Sequence, residues 1–174
     1  IRRLTGQLEL PETVRDRACV LFESAQEADL LQGRCIEGFA AAAVYAVCRT
    51  ASVSRTLDEI VAVASADDAE LKVAYGALNR ELELPTGPID PTEYLARFAS
   101  KLDVPIDVER AARQLATDAH ESGLVTGRNP SGVAAACLYT AAREANYDLT
   151  QAAAADVAGV SAVTIRNTFQ DLRS

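Results

Sequence analysis

The chain carries 25 acidic and 17 basic side chains in 174 residues, a formal net charge of −8. The length suits one domain or two small ones, no apolar run reaches the roughly 18 residues that span a bilayer, and no signal peptide opens the chain. The acidity argues against simple nucleic-acid affinity, which rests on a basic surface, so any DNA function must lie in a local site.

Almost every stretch reads as helix, and none alternates at period two. In chain order the predicted helices cover Ile1–Leu8, Pro11–Leu31, Ile36–Ala51, Thr56–Ala64 and Asp68–Leu82. The linker Pro85-Thr86-Gly87-Pro88 breaks helix. Five more follow over Pro91–Leu102, Ile106–Ser122, Pro130–Ala145, Thr150–Ala158 and Ala162–Leu172. Val14, Ala18, Leu21 and Ala25 recur at helical spacing, as do Val108, Ala112, Leu115 and Ala119, so each set marks a buried stripe. The third helix of each half holds the runs from Gly38 to Tyr45 and from Gly132 to Tyr139. A helix apolar nearly all round is predicted to be central, with its neighbours wrapped about it. With four Phe, five Tyr and no Trp, the cores should be built from Ala, Leu and Val, which suits closely packed helices.

The ten helices are one pattern used twice. Ile1–Arg80 lies over Leu95–Ser174 at an offset of 94 without a gap, with 22 identities in 80 positions. Pro11/Pro105, Gly33/Gly127, Gly38/Gly132 and Tyr45/Tyr139 fall in register, which shared alanine content alone does not produce. A period this long marks a duplicated domain. The predicted fold is all-α, with two tandem five-helix domains at 1–86 and 87–174, the second ending in a helix-turn-helix at 150–172. Asp90 and Pro91 suit the start of the second copy's first helix. The matching start in the first copy falls upstream of Ile1, so the chain reads as a fragment whose first residue sits inside a helix.

Thr150 to Leu172 reads as helix-turn-helix from its residues alone. Thr150 caps a short helix that Gln151 opens, Gly159 permits the positive φ of the turn, and Ser161 caps the second helix. Ala155 and Ile165 pack the two helices together. Val163, Thr164, Arg166 and Asn167 then fall near the start of the second helix, where such helices present side chains to the major groove. An arginine there can bond guanine, and Val163 or Thr164 can touch a thymine methyl. A helical hairpin that binds nothing has the same pattern. In the first copy the matching stretch, Ser65–Lys72, places Asp67, Asp68 and Glu70 at the start of the second helix. Acids suit a helix N-terminus but repel phosphate, so the first copy is not expected to read the groove there.

The charge has a second implication. Only Lys72 and Lys101 among the basic residues are lysine. GC-rich coding explains arginine and alanine together; the acidity favours salt adaptation. No catalytic set stands out: His120 is the only histidine, no glycine loop suits a phosphate, and the acid pairs lie in solvated helical segments. Cys19, Cys35, Cys48 and Cys137 show no paired-ligand spacing, and Cys48 and Cys137 read as small core residues, so a reduced intracellular compartment is expected.

Gly33-Arg34 followed by Gly38-Phe39-Ala40-Ala41-Ala42 with Tyr45 and Cys48-Arg49, Gly127-Arg128-Asn129-Pro130 followed by Ala134-Ala135-Ala136 with Tyr139, and the run from Ala158 to Asn167 resemble the TFIIB/TFB family of general transcription initiation factors. The resemblance covers the whole chain, and the acidity suggests an archaeal, halophilic member. It implies tandem cyclin-like repeats whose second hairpin reads a short element beside the TATA box. That role passes to Ser161, Val163, Thr164 and Arg166, with Asn167 beside them. Thr150 and Gln151 would meet the DNA backbone through the N-terminus of their helix, and Arg128 is a candidate phosphate contact. The implied partners are promoter DNA, TATA-box-binding protein and RNA polymerase, for a monomer in a cytoplasmic, nucleoid-associated setting. The family's zinc ribbon lies N-terminal to this core, so no cofactor is expected in this chain. The acidic first hairpin departs from the family, whose members usually carry more basic residues there. A cyclin-like protein-only adaptor is the competing reading, and the acidity mildly favours it.

Overall fold

The computed structural model describes all of residues 1–174 and holds ten helices and no strand. The helices fall into two compact units, Ile1–Pro88 and Ile89–Ser174.

The first unit contains α1 (Arg2–Gln7), α2 (Glu12–Glu27), α3 (Ile36–Thr50), α4 (Leu57–Val63) and α5 (Asp68–Leu82). Helix α3 touches the other four. Ala41, Ala42, Ala43, Val44 and Ala46 are fully enclosed, because alanine lets neighbouring backbones close in on every side. Gly38 carries this furthest: a Cβ built there would stand 3.1 Å from the Glu70 carbonyl oxygen of α5. Helix α4 starts with a reciprocal box in which Thr56 and Glu59 each accept from the other's backbone N–H.

The second unit contains α6 (Thr92–Lys101), α7 (Ile106–Glu121), α8 (Pro130–Glu144), α9 (Gln151–Ala158) and α10 (Ala162–Leu172). Helix α8 is its hub, in contact with α6, α7, α9 and α10. The aromatic pairing repeats as well. Tyr45 meets Tyr75 edge-on at 4.9 Å, and Tyr139 meets Phe169 edge-on at 5.2 Å. These pairs tie each central helix to the last helix of its unit.

One expectation is corrected. The helix predicted to run to Leu31 stops at Glu27. Asp29 turns to a φ of +55° and Leu30 folds back so that its N–H donates to the Ala25 carbonyl at 3.0 Å. Leu30 then packs with Ala25 and Phe39, so its apolar character serves the core rather than a further turn. The second unit ends α7 the same way, with Gly123 at φ +74° and Leu124 donating to Ala119 at 3.0 Å. The Ile1 carbonyl accepts from the Thr5 N–H at 2.9 Å, the bond that opens α1. At the second copy's start, Pro91 rather than Asp90 takes the cap position of α6, and the Asp90 carboxylate, one residue earlier, accepts from the Thr92 N–H at 2.8 Å.

Cys48 and Cys137 are core residues. Burial pushes their thiols up to about 11 and about 12, so neither offers a thiolate at neutral pH.

Candidate nucleic-acid interface

The hairpin of the second unit is built from three local devices. Thr150 caps α9, its hydroxyl accepting from the Ala153 N–H at 3.1 Å. Gly159 ends α9 in the left-handed region at φ 65°, ψ 35°, where a side chain would be strained. Ser161 caps α10, its hydroxyl accepting from the Thr164 N–H at 3.2 Å. Ala155 and the fully enclosed Ile165 join the core under the turn.

Helical geometry then sorts α10 into two faces. Ile165 and Thr168 are buried, with Phe169 and Leu172 partly so against the core. Val163, Arg166, Asn167 and Gln170 are exposed on the opposite side, since residues three and four apart share a face. Val163 is 57% exposed, a large apolar side chain left in water at the start of a helix. Its neighbour Thr164 is partly covered: its methyl lies near Gly132 of α8 and its hydroxyl pairs with that of Ser161 at 3.0 Å. The predicted set Ser161, Val163, Thr164, Arg166 and Asn167 thus gathers at one helix start, three of its members on one open face. Gln170 shares that face and was missed; its spacing of four from Arg166 is the signal that marks it.

Thr150 and Gln151 lie at the far end of α9, about 12 Å from the turn on a rise of 1.5 Å per residue. Thr150 is exposed. Gln151 is drawn inward, its amide donating to the Tyr139 hydroxyl at 3.4 Å.

Arg128 stands apart from this group. Its guanidinium donates to the Leu124 carbonyl at 3.1 Å, to the Thr168 hydroxyl at 3.3 Å and to the Asp171 carboxylate at 2.6 Å. Three of its five N–H groups are therefore held within the unit, on the side of α10 turned from the open face. Just after it, Asn129 caps α8, accepting from the Ser131 and Gly132 N–H groups, and the Ser131 hydroxyl donates to the Ala158 carbonyl at the end of α9 at 2.9 Å. The segment 128–132 thus touches both helices of the hairpin. Ser131, Thr168 and Asp171 carried no role in the sequence reading, because their partners lie far along the chain; Asn129 carried none although its partners lie two and three residues on.

A family model described as the transcription factor TFIIB repeat matches residues 1–81 and again residues 85–174. The chain belongs to the TFIIB family. It is 60% identical over 172 residues to transcription initiation factor IIB 1 of Halobacterium salinarum, and 44% identical over 172 residues to factor IIB 2 of the same organism. It is 46% identical over 170 residues to transcription initiation factor IIB of Methanococcus maripaludis. These alignments take in 98–99% of this chain but 60%, 53% and 50% of the three relatives, so the chain spans little more than half the length of the curated relatives it matches. The Halobacterium relative agrees with the halophilic archaeal assignment drawn from charge. Two TFIIB repeats account for the two five-helix, cyclin-like units.

Within these TFIIB repeats no group of three or more His, Cys, Asp or Glu side chains is arranged to hold a metal ion. The four thiols are free and show no shared site. His120 lies exposed in the last turn of α7. No helix is long and apolar enough to cross a membrane.

Proposed function

We propose that this chain is the promoter-binding core of a general transcription initiation factor. Its second hairpin reads a short DNA element beside the TATA box, in the presence of TATA-box-binding protein, and the core bridges to RNA polymerase without catalysing a reaction. One observation carries this reading: Val163, Arg166 and Asn167 stand on one exposed face at the start of a capped helix, while the first unit's matching helix opens on a closed acidic box. Arg166 supplies a bidentate donor suited to guanine, Val163 a methyl contact for thymine, and Asn167 a partner for adenine. Thr150 and the N-terminus of α9 meet the DNA backbone. Arg128, bonded to three partners of its own unit, leaves only two N–H groups for a phosphate.

The test is binding to promoter duplexes varied one base pair at a time beside the TATA box, with TATA-box-binding protein present and KCl fixed. Arg166→Ala is expected to lower discrimination at one base position by about 1–3 kcal/mol. Lys72→Ala, at the matching position of α5, is expected to leave that preference intact. Uniform weakening by Arg166→Ala would reduce Arg166 to a phosphate contact. No change in a folded Arg166→Ala protein would favour the protein-only adaptor.

A further inference from the structure

We infer that Arg128 and Asp171 form a positioning pair that sets how α10 is presented, so that base reading by the second hairpin depends on two residues lying behind the reading face. The inference rests on the function proposed above and deepens it.

Three observations support the pair. The first is geometry. Arg128 precedes the central helix and reaches α10 at two points one turn apart, Thr168 at 3.3 Å and Asp171 at 2.6 Å, while its Nε is fixed by the Leu124 carbonyl at 3.1 Å. Three bonds in three directions define the position of a planar guanidinium, and through it the roll and reach of the helix.

The second is the placement of Asp171. It lies in the last turn of α10, where the helix dipole disfavours a carboxylate. Arg128 offsets that. The side chains are 34% and 45% exposed, so the attraction adds little to folding stability. The contribution is local, to where the end of α10 is held, and not to the stability of the whole unit.

The third is the other repeat. Arg34 occupies the position of Arg128, yet its guanidinium bonds only the Leu30 carbonyl, at 3.0 Å. The positions matching Thr168 and Asp171 are Ala74 and Ala77, both buried. The arginine recurs in both copies, but its bonds to the last helix occur only in the second.

The test uses the whole 174-residue chain as Arg128→Ala, Asp171→Asn and the double variant. One readout is hydrogen exchange of the α10 amides without DNA. The other is the affinity ratio between a matched and a mismatched promoter duplex, with TATA-box-binding protein at fixed KCl. Each single variant is expected to speed exchange in α10 and to cut the ratio by about tenfold, the scale of one well-placed base contact. The double variant is expected to do no more, because paired residues are not additive. Asp171→Asn is decisive. If Arg128 acts only as a phosphate contact, freeing it and removing an acid will tighten binding to every duplex and leave the ratio unchanged, which overturns the inference. Unchanged exchange in Asp171→Asn overturns it as well. If the parent chain shows no sequence preference, the proposed function fails. Exchange then decides by itself whether the pair holds α10: faster exchange in the variants upholds the pair and equal exchange overturns it.

Discussion

The hairpins α4–α5 and α9–α10 descend from one sequence pattern and end in different chemistry. In the first, α4 gives way at Ala64, in extended conformation, and Asp67 and Glu70 close a reciprocal box with bonds of 2.8 and 3.0 Å. Lys72, where the second copy has Arg166, is drawn to Asp68 at 2.7 Å. In the second, Gly159 makes the turn and Ser161 caps without any acid, so Arg166 is left without an ion pair on its own helix. The two helices are also held differently. Helix α5 is seated by close backbone approach at Gly38 and a single bond from Arg49 to the Tyr75 hydroxyl at 3.1 Å, whereas α10 is seated by two side-chain bonds from Arg128. Backbone contact leaves little freedom in where a helix lies. Side-chain bonds can be tuned residue by residue, which suits a helix that must meet a partner in one orientation.

The hardest test of this contrast removes the core under each hairpin. Leu71 and Ile165 occupy matching positions and are both fully buried. Leu71→Ala and Ile165→Ala should each destabilise their unit by about 2–5 kcal/mol, measured by chemical denaturation. Only Ile165→Ala should also abolish sequence preference at temperatures where the chain stays folded. Equal loss of preference from Leu71→Ala would break the assignment of reading to the second hairpin.

A smaller effect separates the two seats. At Gly38 an added Cβ meets backbone at 3.1 Å, while at Gly132 it meets the Val160 methyl at 3.4 Å. Overpacking of about 1–3 kcal/mol, less the roughly 1 kcal/mol gained by replacing glycine in a helix, leaves Gly38→Ala destabilised by up to about 2 kcal/mol. Gly132→Ala should fall within about 1 kcal/mol of the parent, because a side chain can give where backbone cannot. Thermal melts of the two variants decide it; an equal loss at both would remove the distinction.

The smallest effect per residue comes from charge. Raising KCl toward about 1 M shrinks the Debye length to roughly 3 Å and screens surface acids from one another, so the melting temperature should rise with KCl. Replacing Asp67, Asp68 and Glu70 together by Ser, Ala and Thr, the residues of the second copy, should make that rise shallower. A melting temperature that is flat or falls in KCl would count against salt adaptation of the parent chain.

Much of this arrangement was legible in the sequence because its causes are local. A threonine or serine before an apolar run, a glycine between two short helices and a three- or four-residue rhythm fix caps, turn and faces within a few residues. The central helices were legible for the same reason, since alanine all round leaves a helix nowhere to go but inside. The end of α2 was not, because Leu30 satisfies the helical rhythm and only the fold shows that it turns back onto Ala25 and Phe39. Nor was the setting of Arg128. Its partner Asp171 lies 43 residues away, and nothing in the spacing of an arginine beside a glycine distinguishes a residue bonded to its own unit from one turned to solvent.

The open face of α10 has a further consequence in concentrated brine. Of its exposed side chains Val163, Arg166, Asn167 and Gln170, one is a cation, on a chain whose formal charge is −8. DNA binding weakens with salt because each phosphate neutralised releases condensed counterions, with a slope of about 0.9 per phosphate. A face with one cation has few ions to displace. Salt that silences a lysine-rich patch takes little from a methyl group against thymine or a paired hydrogen bond to a base edge. Under the proposed function, a reader made this way would give up much of its general grip on DNA and keep its ability to tell one sequence from another.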